Sequence, residues 1–197
     1  MTSYDACLVE AELRARSAYA EPNRYYHSER HLDECLRELN QVTDIPEASR
    51  EILRWAILWH DAVYDATRSD NEELSAELAA EELAGCNVDK SISDEVARLV
   101  LLTKGHRVAN DDFLGALLVS IDLSILGSDE ARYREYVDDV RREYAHVPDE
   151  AWRIGRSAVL MHLLGSELLY PDPNFRARFE AQARENMQAE LSVLRGD

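Results

Sequence analysis

An all-α fold is what this sequence predicts, on three observations. Turn-forming residues are scarce, with 7 Gly and 5 Pro in 197 residues. Ala, Leu, Glu and Arg, all strong helix formers, dominate the chain. Apolar residues recur every three or four positions and do not alternate as in a half-buried strand. No Gly/Ser-rich linker, low-complexity tract or internal repeat interrupts this pattern. Residues 1–197 are therefore read as one domain, a bundle of eight or nine helices.

Each element has its own signal. Residues 4–20 carry Leu8, Ala11 and Ala15 on one stripe and stop before Pro22. A second helix is expected over 26–40, and a third over 46–65, where Ile52, Trp55, Trp59 and Val63 share a face. Asp70 to Glu73 places acidic residues in the first turn of a fourth, which runs to Ala84 before Gly85. A fifth spans 93–103. The nearly all-apolar run 113–126 predicts a central sixth. Ser128-Asp129-Glu130 opens a seventh to about 144, Pro148 an eighth to about 170, and the last covers 174–194.

Charge excludes several roles. Lys and Arg number 22 against 39 Asp and Glu, a net charge of −17. Such a chain lacks the cations that bind nucleic acid generally or hold an anionic membrane surface. A phosphate-bearing substrate stays compatible, provided a metal ion supplies local positive charge. Cys7, Cys35 and Cys86 are odd in number and widely spaced, which argues against a disulfide framework or a Cys-based zinc site. With no basic-then-apolar leader at the N-terminus, the expectation is a reducing, cytoplasmic setting. An apolar patch could make a homodimer, which sequence does not decide.

Three clusters carry chemistry. His27 and His31 stand four apart in Tyr26-His27-Ser28-Glu29-Arg30-His31; on a helix they share a face and reach one ion, or sit as ordinary surface histidines. His60-Asp61 closes the aromatic stripe of the third helix, as ligands or as a satisfied core histidine beside a solvated carboxylate. Asp122 interrupts the most apolar run of the protein. A buried carboxylate there costs several kcal/mol unless paired or metal-bound; the alternative is an N-cap for a short turn at 123–126. Together His31, His60, Asp61 and Asp122 make a mixed imidazole and carboxylate set. It suits one divalent ion such as Mn, Fe, Zn, Mg, Co or Ni.

The order H…HD…D on helices resembles the HD-domain superfamily of metal-dependent phosphohydrolases. More narrowly, it resembles a bacterial family of predicted HD phosphohydrolases. That likeness runs through 23–31, His60 to Asp65, Asn71-Glu72, Leu101 to Thr103 with His106, and Asp122 to Gly127. It continues through Tyr133, Tyr136, 141–144, Gly155-Arg156 and Phe179-Glu180. The resemblance implies hydrolysis of a small phosphorylated substrate by metal-activated water. Tyr26-His27 with His31 is also similar to a segment of the cyclic-nucleotide phosphodiesterases. That likeness makes His27 the general acid and His31 a ligand, and puts Tyr26 beside the substrate. Glu72, or Glu73 next to it, would orient the water, and His106 would join the catalytic set. Arg24 and Lys104 are candidates to contact phosphate, as is Arg107. The family pattern has an acidic residue where this chain has Ser120, and only His106 lies between Asp61 and Asp122, so one tight ion is expected. Other readings are a noncatalytic HD metal-binding sensor or partner module, and a non-haem iron oxygenase.

Overall fold

A computed structural model describes residues 2–196. They form nine α-helices and a 3-10 turn, with no strand among the described residues, as the sparse Gly and Pro content predicts. The helices are α1 (Ser3–Ala18), α2 (Glu29–Gln41), α3 (Glu47–Trp59), α4 (Asn71–Gly85), α5 (Lys90–Leu102), α6 (Phe113–Asp122), α7 (Glu130–Glu143), α8 (Asp149–Leu164) and α9 (Pro173–Arg195). The 3-10 turn, Leu123–Gly127, follows α6 directly. None of these helices is long and apolar enough to cross a membrane. The chain falls into two compact units, 1–118 and 119–197, and the division lies inside α6, not in a linker.

The first unit is organised around α3, which packs against α1, α2, α4 and α5. Trp55, Ala56, Ile57, Leu58, Trp59 and His60 are six consecutive buried residues. The one-sided stripe expected for this helix thus becomes an all-round buried surface in its C-terminal half, while Glu47, Arg50, Glu51 and Arg54 keep the first half polar. The cysteine expectation is corrected here. Cys7 of α1 and Cys86, the C-cap of α4, form a disulfide with sequence separation 79, leaving Cys35 free and buried. Wide spacing in sequence gave no hint of it, because the helices, not the loops, bring the two sulfurs together. The argument for a reducing compartment loses its premise.

The second unit is held by a buried polar network. The Arg156 guanidinium donates to Glu190 through Nε at 2.7 Å and Nη2 at 3.0 Å, and through Nη1 to the Tyr136 hydroxyl at 3.1 Å. Tyr133 donates its hydroxyl to the same Glu190 at 2.6 Å. Asn186 of α9 donates to the carbonyls of Leu126 and Ser128 at the end of the 3-10 turn. Close packing demands glycine at 127, where a Cβ would fall 2.6 Å from the Cβ of Phe179. Ser120, the departure from the family pattern, is buried and accepts from the amide of Asp172, the N-cap of α9.

Several helix ends differ from expectation, each for a local reason. Ser28 is the N-cap of α2, so His27 precedes the helix and is not part of it. At the end of α3, Ala62 bonds back to Trp59 in a tighter turn, and the helix ends at Trp59, short of the expected residue 65. Asp89 caps α5 by accepting from Ser91, which starts it before Ser93. The eighth helix stops at Leu164, ahead of Gly165 and well short of Tyr170.

Candidate metal centre

The sequence His60-Asp61 sits where α3 ends, and three anchors fix that end. The first is Tyr19, buried at the C-cap of α1, whose hydroxyl accepts from the Asp61 amide at 3.2 Å and lies 3.4 Å from His60 Nδ1. The second is Arg24, which donates to the carbonyls of Asp61 at 2.6 Å and Ala62 at 2.8 Å. A cation on the last carbonyls of a helix is favourable by both hydrogen bonding and dipole. The third is α4: the Ser75 hydroxyl accepts from the Val63 amide, and Asn71 exchanges two bonds with the Asp65 backbone. Arg24 thus does something other than the expected phosphate contact. Its side chain is 2% exposed and clamps the backbone that carries Asp61.

His60 is oriented by its own helix. Nδ1 donates to the Ile57 carbonyl at 2.7 Å, since a carbonyl can only accept, and this bond turns Nε2 toward Asp61 and His31. This is how ligating histidines are held. Facing that nitrogen, His31 Nε2 of α2 lies 3.1 Å away. The Asp61 carboxylate Oδ2 lies 3.1 Å from His60 Nε2 and 3.7 Å from His31 Nε2. A point equidistant from the three atoms of this triangle lies about 1.9 Å from each, just inside the roughly 2.0–2.2 Å of transition-metal bonds to N and O. Burial favours protonation of Asp61, but the neighbouring His60 and His27, then the hydrogen bond to His60 and the charge of His31, hold its carboxyl far below the usual range.

Cys35 was not among the sequence candidates. It stands one helical turn after His31, buried, with Sγ 3.8 Å from both nitrogens of that ring. The i, i+4 spacing was legible; what hid it was the expectation that no cysteine takes part in a site. Within the first unit, His31, Cys35 and His60 each offer a donor atom, mutually within 4.8 Å, to a group that could hold a metal ion. Asp122 is the last residue of α6. It occupies the N-cap position of the 3-10 turn but makes no side-chain cap hydrogen bond, which removes the capping explanation for its place in an apolar run.

The remaining candidates take separate positions. His27 stacks on Tyr64 with ring centres 4.0 Å apart, and its ring is 6.1 Å from that of His31. Tyr26 is buried, its ring 4.7 Å from His31. Glu73 is tied to Lys104, which also donates to the Ser69 carbonyl at 2.6 Å. Lys104 is thus held against the start of α4. The Glu72 carboxylate makes no side-chain hydrogen bond among the described residues, and its charge acts on Lys104 without the direct contact that Glu73 makes. His106 adopts a left-handed backbone, φ 51°, in the turn after α5, and its amide donates to Leu102.

Fold and site together define an all-α protein with a buried His, Cys and carboxylate group fit for a metal ion. No family model, curated protein or solved structure matches the chain.

Proposed function

We propose that this protein is a metal-dependent phosphohydrolase of the HD type, acting on a small phosphate ester. The observation that carries the reading is the facing pair of His Nε2 atoms with Asp61 against both. With His60 oriented through Nδ1, two imidazole nitrogens and a carboxylate oxygen converge within 3.7 Å, which is a donor set suited to a cation. We assign His31, His60, Asp61 and Asp122 as its ligands. When bound, such an ion supplies positive charge for a phosphoryl oxygen and lowers the pKa of water.

The chain's own residues do the rest. Tyr19 and Arg24 hold Asp61 and His60 in register, so the ligands need no reorganisation. His27 sits beside the donor group but outside it, steadied by Tyr64, where an imidazole can give its proton to a departing alkoxide. Glu72 is the carboxylate we assign to orient water, because Glu73 is engaged by Lys104.

The test is metal analysis of the purified protein, followed by a phosphatase screen over nucleotides and sugar phosphates. His27→Ala should retain metal and lose about 10²- to 10⁴-fold in kcat on an alkyl phosphate, with a much smaller loss on p-nitrophenyl phosphate. Equal losses on both substrates would remove His27 from the acid role. A second reading rests on Cys35: a Cys, two His and one Asp can close a four-coordinate structural zinc site. Under that reading Cys35→Ser releases zinc and destabilises the fold, and no phosphate ester is turned over.

A further inference from the structure

One cavity stands out against the acidic composition. In a chain where 39 acidic residues face 22 basic ones, a cavity of about 450 Å³ in the first unit is lined by Arg16, Arg37, Arg50 and Arg54 and by a single carboxylate, Asp33. Three helices contribute: Arg16 from α1, Arg37 from α2, Arg50 and Arg54 from α3. The volume lies in the range of small-molecule sites.

The guanidinium groups are positioned, not loose. Arg50 donates to the carbonyls of Leu39 at 2.8 Å and Val42 at 2.6 Å, at the C-terminal end of α2. Arg16 is held by Asp33 and Glu12, and Arg54 by Glu12. Arg37 uses Nε to reach the Asp33 carbonyl at 3.2 Å, with Glu34 4.0 Å from its Nη2, and Glu47 lies 3.9 Å from Arg50 Nε. Each guanidinium carries five N–H donors, so these anchors leave donors for a ligand. Arginine anchored on its far side binds phosphate with little further loss of freedom. Leu36 adds an apolar wall.

We infer that this cavity is a binding site for a small organic phosphate or diphosphate carrying at least two negative charges. It shares no residue with the donor group, and it does not rest on the phosphohydrolase reading.

The experiment is calorimetric titration of the full chain, stripped of metal and dialysed free of chelator, with inorganic pyrophosphate and with adenosine 5′-monophosphate. Saturable one-to-one binding is expected, weakening as salt rises. Arg37→Asp should weaken it at least about tenfold. The Arg37 side chain is 68% exposed, so the variant should melt as the parent does. Asp33→Asn, which removes the sole lining carboxylate, should tighten binding. Preference for pyrophosphate identifies a compact diphosphate ligand, and preference for the nucleotide an organic phosphate; either supports the site. Absence of saturable binding to about 5 mM overturns it, leaving the arginines as ion-pair anchors. Equal affinity of Arg37→Asp and the parent overturns it as well, because the anion then binds elsewhere.

Discussion

Two polar clusters, one in each unit, are built from different residues and reach opposite ends. In the second unit, Arg156, Glu190, Tyr133 and Tyr136 answer one another donor to acceptor. Burial and then the Glu190 charge push the Tyr133 phenol far above its usual range, so it stays a donor. In the first unit, Cys35 Sγ, His60 Nε2 and Asp61 Oδ2 gather around the His31 ring. A closed network stabilises one packing and has nothing left to bind. A cluster of imidazole, thiol and carboxylate atoms within a few ångströms of one another can still receive a cation. Residues 19–61 thus hold the first unit's donors and the supports Tyr19 and Arg24, whereas Tyr133, Tyr136 and Arg156 build scaffold.

The comparison breaks or sharpens under four changes, taken from the largest effect down. His60→Ala should reduce bound metal to background by elemental analysis while the helical circular dichroism persists, and full metal retention would remove the first unit's special status. Arg156→Ala should leave Glu190 buried without its guanidinium and cost about 3–5 kcal/mol in denaturant unfolding, with metal content unchanged. Loss of metal in that variant would show that the two clusters are not separable. Reducing the Cys7–Cys86 disulfide should cost about 2–4 kcal/mol by releasing a long loop in the unfolded chain, read as a lower melting temperature in dithiothreitol. No shift would mean that the cross-link adds nothing to a unit already held by α3. Tyr19→Phe removes the hydroxyl at Asp61 and His60 and should weaken metal affinity about 10- to 100-fold in competition with a chelating dye, with little change in melting.

Much of this was written in local pattern. Helical periodicity, Pro22, the acidic turn at Asp70 to Glu73 and the cap at Asp129 located the elements, because helix signals act within a few residues. The same locality marked His31, His60, Asp61 and Asp122 as unusual for their surroundings. Where pattern misled, a distant partner was responsible. Arg24 reads as a free cation until the end of α3 arrives to take its donors. Cys7 and Cys86 read as unrelated thiols until α1 and α4 pack together. Cys35 reads as core until His31 and His60 turn their nitrogens toward one another.

The sequence by itself determined the fold class, the order of the helices and the residue types available for chemistry. Helix propensity, capping and apolar spacing depend on neighbours a few positions away, and those are all present in the chain. The tertiary structure alone decided which acceptors share a pocket, which guanidinium groups are consumed by backbone carbonyls and which surround a cavity. Those outcomes depend on distances of about 3 Å between residues dozens of positions apart, set by helix packing.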